Sequence, residues 1–191
     1  MSADAPGPPL LAFATEETYL HATARARDEA VEVFLAVEVA NETYGIPTEA
    51  VREIIRLVDV TEVPRLPRSV LGVISVRGAI IPVLDLRVRL GFASAPVQRS
   101  NRIVIVTVEG QRFGLRVDDV LGLERVRGTD LEPAPAIFGA SRGGVDRYIR
   151  AVGRTVDRSD RIVVFLELAA LVDLSAELDA RRRSGSEARP Q

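Results

Sequence analysis

The feature that most limits how this chain can fold is that its second half rereads its first. Tyr44-Gly45-Ile46 recurs 69 positions later as Phe113-Gly114-Leu115. The same shift carries Val51 onto Val120, Ile54 onto Leu123, Arg56 onto Arg125 and Pro64 onto Pro133. An offset of 82 then sets IIPVLDLRVRL (80–90) beside IVVFLELAALV (162–172), with Asp85 opposite Glu167. The shift grows by 13 residues, and the stretch 133–147, full of Pro and Gly, is where the sequence places that insertion. A copy of about 65 residues is too small to hold much core alone, so the two copies must cover part of each other's apolar surface.

Within each copy the pattern is short β-branched runs punctuated by turn residues. EVFLAVEVANETYGIP reads as strands 33–40 and 43–46 with a turn at Asn41-Glu42. VREIIRLVD supplies another strand, and GVISVRG and AIIPVL form a pair around Gly78. Pro82 has no N–H to donate, which implies an edge position or a bulge. Asp85 caps a short helix, LRVRL, closed by Gly91, and residues 92–101 read as a linker. The expectation is two small barrels of roughly five strands each, with a groove between them. A last helix is expected from Leu168 to Arg183, with Leu171, Leu174 and Leu178 at helical spacing.

Composition removes most catalytic toolkits. The chain has 191 residues, 47 % apolar and 27 % charged, with no cysteine and a single histidine, His21. Every basic residue is arginine, which excludes Schiff-base lysines and phosphate-loop lysines. Histidine triads, thiolate nucleophiles and thiolate or histidine metal sites are equally hard to build. A net charge of −2 argues against a general nucleic-acid binder. Arginine gathers at 141–161, six against three aspartates, but Tyr148 is the single aromatic there, which suits a solvated face or an acidic partner. Asp118-Asp119 and Asp157 with Asp160 lack the ligand count of a metal loop, and Asp118 and Asp119 read as capping or exposed turn residues. No apolar run approaches the roughly 20 residues that span a bilayer, and the opening Met1-Ser2-Ala3-Asp4 lacks a basic leader, so the expected location is cytoplasmic. Residues 1–9 read as a disordered tail and Thr15 as the N-cap of a helix toward residue 30.

YGIPTEAVREI, then a proline-containing loop, then GVISVRGAIIPVLDLRVRLG, resembles the CheW-like domain of bacterial chemotaxis adaptors. The resemblance continues through FGLRVDDVLGLERV, YIRAVGR and DRIVVFLELAALV and covers about residues 31 to 174. Its strongest piece is RGAIIPVLDLRVRLG, while the family's usual Asn-Leu before that Arg-Gly is Ser75-Val76 here. The resemblance implies a mainly β fold of two five-stranded SH3-like barrels: barrel 1 at 31–91, a linker at 92–101, barrel 2 at 102–174. The extension 1–30 and the helix end and tail 175–191 flank them. It also implies a non-catalytic adaptor without cofactor or metal, joining the regulatory domain of a CheA-type histidine kinase to the cytoplasmic tip of a methyl-accepting chemoreceptor.

By the same resemblance the receptor side falls on Val51, Glu53, Ile54, Gly72 and Arg77, with Glu53 and Arg77 able to pair. On pattern alone Val51 and Ile54 also read as core residues of the first barrel. Kinase contacts are expected from apolar strand residues, with Ile55, Leu57 and Val58 as candidates, joined by Ile137 and Phe138 in the long loop. Two other readings stay open. One is a CheW-like module of another chemosensory system (gliding or pilus motility, second-messenger output) or a kinase-binding competitor; the other is a carboxylate-dependent enzyme on a β-barrel.

Overall fold

The structure, a computed structural model of the chain, describes residues 31–133, 144–156, 161–175 and 178. His21, the helix expected from Thr15, Ile137, Phe138, Asp157 and Asp160 lie outside the described residues. Eleven strands follow in order: β1 Val31–Val39, β2 Glu42–Pro47, β3 Val51–Arg56, β4 Val70–Val76, β5 Ala79–Asp85, β6 Arg102–Val108, β7 Gln111–Val117, β8 Asp119–Arg127, β9 Leu131–Pro133, β10 Ile149–Arg154 and β11 Ile162–Leu166. Two short helices, α1 Leu86–Arg89 and α2 Leu168–Val172, follow β5 and β11.

The strands form two sheets, ordered β8-β1-β2-β11-β10-β9 and β3-β6-β7-β5-β4. Each sheet therefore draws strands from both repeats, and the boundaries 31–91 and 102–174 mark the repeats rather than the sheets. The exchange is reciprocal. Val51 pairs with Val106 and Ile54 with Val104, and the 69-residue shift turns these into Val120 with Val37 and Leu123 with Leu35. The parallel contacts obey the same rule, Gly45 opposite Phe165 and Gly114 opposite Val83. Both glycines are required by that close approach. A Cβ on Gly45 would lie 2.5 Å from the Phe165 ring, and one on Gly114 would lie 2.8 Å from Ile103 Cγ2. Even the extra strand of the six-stranded sheet has a rudiment in the other, where Thr61 bridges Val73 beside β4.

Side-chain alternation along the central strands explains why the halves need each other. Phe34 points into a small cluster with Val126, Ala151, Val163 and Phe165 inside the first sheet. Ile103 and Ile105 do the same with Ile74, Ile81 and Val83 inside the second. Their neighbours Leu35, Val37, Val104 and Val106 point the other way, into a larger shared core with Tyr44, Leu84, Leu115 and Leu166. Strands buried on both faces read as near-continuous apolar runs, as in FLAV (34–37) and IVIV (103–106).

Local details match or amend the sequence reading. The hairpin turns sit at Ala40-Asn41, Arg77-Gly78 and Glu109-Gly110, each with two positive φ values, so the first lies one residue earlier than expected. Two residues of positive φ give the turn whose twist matches that of the flanking strands. Pro82 lies in neither an edge strand nor a bulge. It pairs with Val73 in central β5, one residue before the parallel pairing to β7 starts at Val83. The 13-residue growth divides in two. Val70 faces Leu84 whereas Ile149 faces Leu166, so three of the extra residues lengthen the β10–β11 hairpin and ten precede β10. Asp85 does cap α1, accepting from the Arg87 N–H at 3.1 Å, but Glu167 makes no such bond to α2. The last helix is not continuous from Leu168. It ends at Val172, where the buried Arg89 guanidinium donates to the carbonyls of Ala170, Leu171 and Asp173; helical hydrogen bonding restarts from Leu174 to Leu178.

Candidate interaction surface

The five expected receptor-side residues fall on the two edge strands of the five-stranded sheet and on the turn beyond one of them. Val51, Glu53 and Ile54 lie on β3, Gly72 on β4, and Arg77 in the β4–β5 turn. Glu53 and Arg77 meet, with Arg77 Nη2 3.2 Å from Glu53 Oε2. That bond joins the β3 edge to the hairpin tip next to the opposite edge, which helps close the sheet on itself. Arg77 is 81 % exposed at its side chain and Glu53 is 28 % exposed. Arg77 also carries a φ of +49°, a conformation that disfavours residues with a Cβ. The Ala40 and Glu109 turns share that backbone geometry, so what distinguishes Arg77 is an exposed guanidinium tethered by a carboxylate.

The other three have different surroundings. Ile54 is 42 % exposed, so the expectation of core burial fails for it; its side chain shares a face with Val104 but lies on the edge strand, where no neighbour covers it. Val51 is half-buried and packs against the shared core. Gly72 has a structural reason to be glycine. Its φ is +143°, it sits where β4 shifts register against β5, and a Cβ would lie 2.2 Å from the Thr61 carbonyl oxygen.

Of the kinase-side candidates, Ile55 and Leu57 pack against the inner cluster of the five-stranded sheet, whereas Val58 is 46 % exposed. Ile55 lies on β3, whereas Leu57 and Val58 follow its end at Arg56 and face opposite ways. Val58 lines a surface cavity of about 690 Å³ with Arg56, Arg99, Arg102 and the exposed Val97. That end of the molecule offers an apolar floor ringed by arginines.

Asp118 and Asp119 serve the local structure. Asp118 accepts the Ala40 N–H at 2.7 Å and pairs with Arg87 at 2.5 Å, anchoring a turn of positive φ to α1; it is no helical cap. Asp119 accepts from the Val120 N–H. Asp85, fully buried, meets Arg116 at 2.7 Å. Burial pushes its carboxyl above the usual 3.8, against the opposing pull of Arg116 and the Arg87 N–H. Among the described residues no three His, Cys, Asp or Glu side chains gather as a metal site would need.

Sequence reasoning missed three of the most exposed apolar side chains on the strands. Ile80 is 75 % exposed two positions beyond the Arg77-Gly78 turn, and Leu123 and Ile162 are 66 % and 56 % exposed. The repeat itself is the signal that would have found them, since it carries Ile54 onto Leu123 and Ile80 onto Ile162. Both halves keep apolar residues outside at equivalent places.

Known proteins share this arrangement. The CheW-like domain family model matches residues 33–176. Chemotaxis protein CheW of Rhizobium meliloti is 35 % identical over 123 residues, covering 64 % of this chain and 79 % of the relative. Protein FrzA of Myxococcus xanthus is 34 % identical over 112 residues, 59 % of this chain and 69 % of that protein. The crystal structure of scaffolding protein TtCheW from Thermoanaerobacter tengcongensis superposes with a TM-score of 0.68 at 27 % identity, covering 76 % of this chain and 95 % of that one. Reciprocally exchanged strands, a shared core and a matched family model over most of the length lead to one conclusion: this chain belongs to the CheW-like domain family.

Proposed function

We infer that this chain is the scaffold that holds the regulatory domain of a CheA-type histidine kinase against the cytoplasmic tip of a methyl-accepting chemoreceptor. The adaptor role in chemotaxis-type signalling, without catalysis, follows from family membership; the identity of the partners is our reading. The receptor side is assigned to Arg77, Glu53 and Ile54, with Val51 and Gly72 shaping the strands beneath them. The kinase side is assigned to Val58 over Ile55 and Leu57, with Ile137 and Phe138 joining from the long loop. The work is done in the cytoplasm. No helix among the described residues is long and apolar enough to cross a membrane. Neither nucleic acid nor a cofactor enters the reading.

The observation that carries it is the Arg77 guanidinium, held outward on a positive-φ turn and steadied by Glu53. An exposed pair of this kind contributes about 0–1 kcal/mol to stability. Its value lies in orienting a planar donor toward a partner's carboxylate or carbonyl groups. The mechanism is differential binding: a receptor shift that alters its contacts here changes the population of kinase geometries held at the other end.

Arg77→Ala tests this, with binding to a receptor-tip fragment and to a kinase regulatory domain measured separately. Receptor affinity is expected to fall about tenfold, which is about 1.4 kcal/mol, while kinase affinity and the urea midpoint stay unchanged. Val58→Asp is expected to do the reverse. Undiminished receptor binding by the Arg77 variant refutes the assignment. The similarity to Protein FrzA keeps the specialised chemosensory reading alive. Binding of the kinase domain with no measurable binding to any receptor tip would instead favour a kinase-binding competitor.

A further inference from the structure

The surface cavity at Val58 is positively charged in a chain that is negative overall. Arg56, Arg99 and Arg102 line it, and Asp59 is the one acid beside them among the described residues, so three positive charges meet one negative charge in a chain of net charge −2. The 480 Å³ cavity beside β9 and β10 has no such excess, since Arg127 and Arg154 there are matched by Asp130 and Glu132. The guanidinium groups of Arg56 and Arg99 are exposed and make no hydrogen bond or ion pair among the described residues. Arg102 is held in place. Its Nη1 donates to the carbonyls of Arg99, Ser100 and Asn101 at 2.8, 2.8 and 2.9 Å, while its Nε and Nη2 donate to nothing among the described residues. A guanidinium fixed in this way has given up side-chain freedom before a partner arrives. Between the cations the floor is aliphatic, with Val58 46 % and Val97 63 % exposed.

We propose that the kinase element docking on this cavity is acidic: a segment with carboxylates on either side of an aliphatic side chain, the aliphatic group seated on Val58 and Val97 and the carboxylates on Arg56, Arg99 and Arg102. The proposal rests on the kinase-side reading above and adds the chemistry of what is bound. Guanidinium forks take carboxylates through paired N–H donors. Phosphate-bearing ligands fit the cavity less well. A nucleotide base calls for an aromatic ring to stack on, and a phosphate for a helix N-terminus or a glycine-rich turn, and none of these lines the cavity. A cluster of cations without matching acids also projects its field into solvent, so it steers an acidic partner as well as holding it.

Binding kinetics of the full chain with the kinase regulatory domain test this. Arg56→Glu combined with Arg99→Glu alters two exposed side chains without partners, so the urea midpoint is expected to stay unchanged. Association should slow about tenfold, because charges at a rim act mainly on approach. Wild-type affinity should fall between about 50 and 500 mM salt, and the double Glu variant should lose that dependence. Arg56→Lys with Arg99→Lys should keep the association rate but dissociate faster, because an ammonium keeps the charge and gives up the fork. Val58→Asp separates this proposal from the reading it rests on. If Val58→Asp abolishes kinase binding while the Glu pair and salt change nothing, the kinase docks here and the acidic partner is wrong. If kinase binding survives Val58→Asp, or the wild-type chain never binds the kinase domain, the kinase-side reading falls and takes this one with it.

Discussion

Asp85 shows how much a single side chain can hold in a fold of this size. It ends β5, caps α1 through the Arg87 N–H, and neutralises Arg116 on the neighbouring parallel strand β7. Removing one member of a buried pair leaves an uncompensated charge, at a cost of about 3–5 kcal/mol. Asp85→Ala is expected to lose that much by urea unfolding. Asp85→Asn should lose less than Asp85→Ala, because its single amide oxygen can still accept from one of the two donors that now bind separate carboxylate oxygens. The pH dependence follows from the direction of the shift. With the folded value raised above 3.8, the native chain holds this proton where the unfolded chain has released it. The group's contribution is therefore fullest below pH 3.8 and is lost as pH rises through the raised value. Wild type should show that decline in acid titrations of stability, and Asp85→Asn should not.

At the scale of elements, β4 is the part whose shape depends most on one residue type. Its register slips between Val70 and Gly72, and the slip brings Gly72 against the Thr61 carbonyl, which bridges Val73 through two 2.9 Å backbone bonds. Gly72→Ala meets both a φ of +143° and a contact of 2.2 Å with backbone. The expected cost is about 1–3 kcal/mol, with hydrogen exchange accelerated at Thr61 and Val73 before the rest of the sheet. This residue was singled out from the sequence for a receptor contact; the structure supplies a reason for glycine that needs no receptor. The two helices teach a related lesson. Both follow a strand at repeat-equivalent places, yet α1 is capped by its own Asp85, and α2 is finished by Arg89, which belongs to α1.

The whole molecule is an exchange of strands between two repeats. β1 and β2 of the first repeat complete a sheet with β8 to β11, while β6 and β7 of the second complete one with β3 to β5. Neither repeat owns a sheet or a core, and the shared cluster is larger than the inner cluster of either sheet. Residues 1–100 and 101–191 expressed apart should each give collapsed amide spectra. Mixed or co-expressed, they should recover the dispersion of the intact chain. A folded isolated half would contradict the exchange.

Much of this was legible in the residues alone. The 69-residue shift aligned Gly45 with Gly114 and Val51 with Val120, and alternation marked the strands, because a repeat and a period of two are written locally. The Glu53–Arg77 pair could be foreseen only as a possibility of charge and family likeness, since its 3.2 Å contact joins β3 to a turn separated from it in sequence. Tertiary structure alone decided which strands share a sheet, that Ile54 lies open while Val51 packs inward, and that Arg89 ends a helix some eighty residues away. The physical reason is common to all three. Hydrogen bonding between strands and burial of a side chain depend on what lies across the gap, and one strand's sequence does not specify its neighbour across the sheet.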